Sequence, residues 1–94
     1  KGFGIIGVVS KNKKLTGVIS DGDLRRNMEK LLDRDVTSVM TKNPVILKPK
    51  TKVSDALNIM NKNKITSVFV VKENVPKLPI GIVHLHDCLR LENE

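Results

Sequence analysis

Gly17-Val18-Ile19-Ser20-Asp21-Gly22-Asp23 and Gly81-Ile82-Val83-His84-Leu85-His86-Asp87 are one heptapeptide written twice, 64 positions apart. Each copy opens on Gly, runs through two β-branched residues, and ends with a polar residue three places before an Asp. An Arg follows each at the same spacing, Arg26 and Arg90. A duplicated unit packs in the same way each time it appears, so the repeat decides the architecture before any single residue is interpreted. The polar residue and the Asp recur where packing alone does not require them, which marks them as candidate functional groups.

Upstream of each copy the likeness continues. Residues 3–9 align with residues 65–71 at an offset of 62. The turn between the two strands is two residues longer in the second copy, and the offset after it is 64. Ile5 to Val9 and Leu15 to Ile19 are short β-branched runs around the polar turn Ser10 to Lys14, a strand pair by composition and turn chemistry. Asp21-Gly22-Asp23 is a helix start, with acids where the free amides favour negative charge. The apolar spacing of Leu24, Met28, Leu31 and Leu32 extends the expected helix from Gly22 to about Leu32. Val36 to Thr41 reads as a helical turn or connector, broken by Lys42-Asn43-Pro44. Val45 to Leu47 is a brief strand. Ser54 is the expected N-cap of a helix with Val53, Ala56, Leu57 and Met60 on one face. Strands at Ser67–Val71 and Ile80–Val83 follow, then a short helix from His86 to about Leu91.

The order β-α-β-β-α is complete over residues 45–91, and residues before it supply only β-β-α. The expected class is α/β (α+β), with repeat one partial over 1–35 and repeat two, with its connector, over 36–94. A first strand and helix of repeat one are expected upstream, at the C-terminal end of something larger.

Composition narrows the function classes. The chain has 94 residues, 39% hydrophobic content and no apolar run of membrane-spanning length. No signal peptide is evident. The single cysteine, Cys88, excludes an internal disulfide and a cysteine-based zinc site. These features point to the cytoplasm. Net charge is +7, spread evenly, with 9 basic and 5 acidic residues in 1–47 and 8 and 5 in 48–94. Nucleic-acid binding favours aromatics among the basic residues for stacking. Phe3 and Phe69 are the only aromatics of the Phe, Tyr and Trp class, and both sit in apolar runs. The charge therefore suits solvated loops or a small anionic ligand rather than DNA or RNA.

Two such units, each with Gly, two apolar residues, a polar residue and an Asp three places on, resemble a tandem pair of cystathionine-β-synthase (CBS) domains. That resemblance implies pseudo-two-fold symmetry and a first repeat truncated at its N-terminus. Finer wording is similar to the CBS region of D-arabinose 5-phosphate isomerases: Val39 to Pro44, Ser20 to Arg26, Lys64 to Val68 and Gly81 to Asp87. There a sugar-isomerase (SIS) domain precedes the CBS pair, and the enzyme interconverts D-ribulose 5-phosphate and D-arabinose 5-phosphate on the route to Kdo and lipopolysaccharide. The catalytic groups belong to the SIS domain, so no catalytic residue is assigned here. Ser20 stands where the family more often has Thr, Cys88 where it commonly has Leu, and the turn from Glu73 to Pro79 is longer.

The resemblance implies a ligand. In CBS pairs the Asp holds two ribose hydroxyls, which one ionised carboxylate can accept together. Ser20 with Asp23 would serve one cleft and His84 with Asp87 the other. Gly4, Ile5, Thr66 and Ser67 would line base or sugar, Thr41, Asn43 and Pro44 would lie beside the second cleft, and Arg25 or Arg26 would face a phosphate. His86 would cap or line its helix start. The expected partner is a nucleotide or nucleotide-sugar such as CMP-Kdo, with homo-oligomers as dimers or tetramers and no nucleic acid, membrane, metal or cofactor. Each feature has a plainer reading beside it. An Asp at a helix start is stabilising without a ligand, Arg26 and Arg90 suit exposed helix positions, Cys88 and the methionines suit a core, and His84 with His86 supply too few ligands for a metal.

Overall fold

The computed structural model describes residues 4–92. The Phe3 end of the repeat alignment and the Arg90 side chain lie outside the described residues. The chain divides between Pro44 and Val45 into two units.

In the first unit β1 (Ile5–Val9) and β2 (Leu15–Ser20) pair antiparallel. Ser10 closes the turn by donating to and accepting from it: its amide reaches the Lys14 carbonyl at 2.9 Å and its carbonyl accepts the Lys13 amide at 2.8 Å. Helix α1 (Asp21–Arg26) follows β2 without a gap. A 3-10 turn (Leu31–Asp33), the short helix α2 (Val36–Val39) and a third strand, β3 (Thr41–Lys42), complete the unit. β3 lies antiparallel on β2, with Gly17 opposite Lys42 and Val18 opposite Thr41. The connector of 36–44 thus joins the first unit's sheet while leading into the second repeat.

In the second unit β4 (Ile46–Leu47) runs parallel to β5 (Ser67–Val71), and β6 (Pro79–His84) runs antiparallel to it. Helix α3 (Val53–Asn63) links β4 to β5, and α4 (Leu85–Glu92) follows β6. Leu47, Ala56, Leu57, Met60, Val68 and Cys88 form the core. Met60 is 1% exposed, and full burial of such a side chain stabilises by about 1.5–3 kcal/mol. Cys88, 3% exposed, is a core residue, as its apolar spacing suggests.

The two strand pairs keep one register. Ile5 faces Ser20 as Ser67 faces His84, and Val8 faces Gly17 as Val70 faces Gly81. The irregularity between Val8 and Val9 recurs between Val70 and Val71. Lys13 and Lys77, equivalent residues at the ends of the two turns, have φ of 65° and 64°. The duplication read from the sequence is therefore a duplication of backbone geometry.

Three expectations fail. The helix from Gly22 to Leu32 stops at Arg26, because Asn27 ends it: its amide donates to the Asp23 carbonyl at 3.2 Å and its side-chain Nδ2 to the same oxygen at 2.7 Å. The chain then takes a left-handed turn at Lys30, φ 57°. Leu24, Met28 and Leu32 accordingly lie in solvent, with Met28 66% and Leu32 97% exposed, so Met28 is not core. Ser54 is not the N-cap of α3. Lys52, in extended conformation, holds that position, and Ser54 lies inside the first turn. Thr41-Lys42, read as the end of a helical turn and a breaker, is a strand because β2 offers it an open edge.

Candidate ligand site at the strand ends

Both candidate sites form where an extended strand turns directly into a helix. Ser20 ends β2 with φ −113° and ψ 174° and caps α1. Its Oγ accepts the Asp23 amide at 3.3 Å, while its own amide donates to Asp23 Oδ2 at 2.9 Å. This reciprocal pair is a capping box with Asp in the place usually held by Glu or Gln. The spacing of three between the polar residue and the acid is what the box requires.

The Asp23 carboxylate is 4% exposed. Oδ2 accepts from the Ser20 amide and, at 3.1 Å, from the Ser20 hydroxyl. Oδ1 accepts from Arg26 Nη2 at 2.7 Å and from the Thr41 hydroxyl at 2.8 Å. A carboxylate has about four lone-pair positions, and here each is taken. Burial pushes the Asp23 carboxyl up, but the Ser20 amide, Thr41 hydroxyl, Arg26 guanidinium and Ser20 hydroxyl outweigh it and hold it below its ordinary value of 3.8.

Thr41 is placed differently from the sequence reading. Expected beside the second repeat's cleft, its hydroxyl is bonded to the first repeat's Asp23. Arg26 spends its charge on Asp23 rather than facing outward for a phosphate, although its side chain stays 67% exposed. Arg25 is exposed. Asn43, φ 50°, turns the chain after β3, and Pro44 closes the unit. Gly4 is exposed, and Ile5 lies across from Ser20. Gly17 is needed for this arrangement. A Cβ there would stand 2.6 Å from Met40 Sδ and 2.9 Å from the Thr41 carbonyl oxygen, so only glycine lets β3 close on β2.

The second strand end is bonded differently. His84 Nδ1 accepts the His86 amide two residues on, at 3.1 Å, where Ser20 Oγ accepts the amide three residues on. His86, expected to cap or line the helix start, contributes its amide and stacks on His84 with ring centroids 4.8 Å apart. The Leu85 amide donates to the Thr66 carbonyl at 2.8 Å, fixing the start of α4 to the start of β5. Ser67 is buried opposite His84, and Thr66 is exposed. Asp87 is exposed, in contrast to Asp23.

Among the described residues no group of three or more His, Cys, Asp or Glu side chains gathers around a common point. No helix among them is long and apolar enough to cross a membrane.

Comparisons with known proteins agree with this geometry. The model of the CBS domain family matches residues 35–94. An arabinose 5-phosphate isomerase of Pseudomonas aeruginosa is 38% identical over 93 residues, covering 96% of this chain and 28% of the relative. One from Francisella tularensis is 40% identical over 88 residues, covering 90% of this chain and 26% of the relative. The chain thus spans little more than a quarter of the length of these relatives. Among solved structures, a CBS domain pair in complex with 5′-methylthioadenosine and S-adenosyl-L-methionine superposes with a TM-score of 0.81 at 25% identity, over 95% of this chain and 69% of that one. A CBS-pair protein in complex with AMP gives 0.76 at 27%, over 95% and 70%. With the repeated strand-to-helix geometry and a family match over most of its length, the chain belongs to the CBS domain family.

Proposed function

We propose that this chain is the non-catalytic regulatory module of a D-arabinose 5-phosphate isomerase and that it binds a nucleotide or nucleotide-sugar effector. The observation that carries the reading is the likeness to arabinose 5-phosphate isomerases over nine-tenths or more of the chain. The nucleoside ligands named for its structural neighbours support the effector class. CMP-Kdo, a downstream product, offers a ribose diol for a carboxylate and anionic groups for a chain of net charge +7. In this reading catalysis belongs to an upstream SIS domain in a cytoplasmic enzyme of the lipopolysaccharide route.

The two strand ends are unequal hosts. At Asp23 a diol must displace existing donors, of which Arg26 and Thr41 on Oδ1 are the exposed ones. Asp87 is an exposed residue where Asp23 is buried, and we assign the effector there, with His84 at the mouth of the site. Binding regulates the enzyme only if the effector prefers one state of it.

Titration calorimetry of the full-length protein with AMP, ATP, CMP and CMP-Kdo tests the assignment. Heat from at least one, lost in Asp87→Ala and kept in Asp23→Asn, is the expected result. No heat from any of the four removes the effector role.

A second reading, an oligomerisation module with empty clefts, draws on the exposed Leu24, Met28, Leu32 and Val36. Light scattering of the full-length protein and of Met28→Ser/Leu32→Ser tests it, since a smaller species in the variant is required.

A further inference from the structure

Arg26 reaches Asp23 by folding back over the start of its own helix. Its Nη2 donates to Asp23 Oδ1 at 2.7 Å, the shortest of the four bonds on this carboxylate. The guanidinium lies against Gly22. A Cβ on Gly22 would stand 3.2 Å from Arg26 Nη1 and 3.7 Å from Nη2. Gly22 has no positive φ, so the backbone does not call for glycine there. It also lies inside the first turn of α1, where glycine is a poor helix former. What it supplies is room for the guanidinium. The second copy differs at this point. At the 64-residue offset the counterpart of Gly22 is His86, whose ring stacks on His84. The acids differ too, Asp23 being buried and Asp87 exposed.

We propose that Arg26, seated by Gly22, is a built-in occupant of the first strand end and closes Asp23 to neutral vicinal diols such as the ribose of a nucleoside. The inference rests on the reading of the strand-end aspartates as diol acceptors. Diol hydroxyls can replace the bonds on Oδ1, but they bring no positive charge, and a buried carboxylate stripped of its counter-charge is costly. Arg26 is moreover tethered three residues away, so it competes without the translational freedom that a ligand loses on binding. Thr41 is a weaker obstacle, since a ribose hydroxyl replaces its hydroxyl on Oδ1 like for like. The Arg26 side chain is 67% exposed, so its removal takes little from the packing of the unit. The specificity of the two strand ends then follows from one position in the repeat, glycine in the closed copy and histidine in the other.

The test uses the full-length protein in an Asp87→Ala background, which silences the second strand end. Titration calorimetry with adenosine, guanosine, cytidine and uridine is expected to detect no binding in that background. Adding Arg26→Ala is expected to tighten at least one nucleoside about tenfold or more, into the measurable range. The gain is expected to vanish with the matching 2′-deoxynucleoside, which has no vicinal diol, and on adding Asp23→Asn. Gly22→His, which puts the second copy's residue at this position, is expected to open the site in the same way. Circular dichroism establishes that each variant is folded, and one that does not fold leaves the other to decide. Nucleoside binding with Gly22 and Arg26 both in place, or a site still closed in either folded variant, would overturn the proposal. The effector reading is decided by a different arm, nucleotide heat in the protein with Asp87 intact, so each can fail while the other stands.

Discussion

Replacing Asp23 by Ala removes the acceptor that joins α1, β2 and β3. The loss can be assembled from its parts. The Ser20 hydroxyl bond to Oδ2 contributes about 1 kcal/mol, while Ser20 Oγ keeps the residue-23 amide, a backbone donor that the substitution leaves in place. The Thr41 hydroxyl bond contributes about another 1 kcal/mol. The Arg26 pair, on a side chain 67% exposed, contributes no more than about 0.5 kcal/mol. A Ser20 amide left without its acceptor adds about 1 kcal/mol of desolvation. The expected total is about 3 kcal/mol. For a chain this size that lowers the melting temperature by about 12–24 °C. Urea unfolding followed by circular dichroism measures it directly, read as a change in midpoint at constant slope. The pH dependence supplies a second signature. The folded Asp23 pKa lies below the ordinary 3.8, so its contribution is fully present well above that value. It is lost as pH falls through 3.8 toward the lower folded value, because the unfolded chain takes up the proton first. Stability of the wild type should therefore fall more steeply with acid in this window than that of Asp23→Asn. A cost under about 0.5 kcal/mol for Asp23→Ala, or parallel acid profiles, would refute the account of Asp23 as the fastening of the first unit.

Other consequences are simpler to measure. Gly17→Ala should cost about 1–3 kcal/mol in urea, because Met40 and the Thr41 carbonyl must move to admit the Cβ. Met60→Ala should cost about 2–5 kcal/mol, as Met60 is 1% exposed among Leu47, Leu57 and Val68. Leu32→Ser should stay within about 0.5 kcal/mol of wild type, since Leu32 is 97% exposed, even though the sequence pattern places it on a buried helix face. Cys88, 3% exposed, should react with a thiol reagent such as Ellman's much more slowly in the native chain than in urea.

These outcomes separate what local sequence controls from what packing controls. The strands Ile5–Val9 and Ser67–Val71 were legible to the residue, because each is a short apolar run bounded by polar turns. The repeat offsets were legible too, and the strand registers reproduce them. The polar residue three places before an Asp was visible in both copies, and in the first it is a capping box, a local device. The end of α1 was not. Leu24, Met28 and Leu32 carry a helical spacing, but Asn27 ends the helix by bonding to the Asp23 carbonyl, and the stripe has no partner in the described structure that buries it.

By itself the sequence determined that there are two like units, that each turns from strand to helix at a polar residue, and which Asp stands in that turn. Tertiary structure decided that the two are different groups. Thr41 arrives from 18 residues away to take Asp23 Oδ1, and β3 reaches it only because Gly17 leaves room. Asp87, in the same motif, is left exposed on a sheet whose last strand is open among the described residues. The motif is local and its cap follows from spacing of three residues. Whether the carboxylate is enclosed depends on a strand paired from elsewhere in the chain, and no local pattern carries that information.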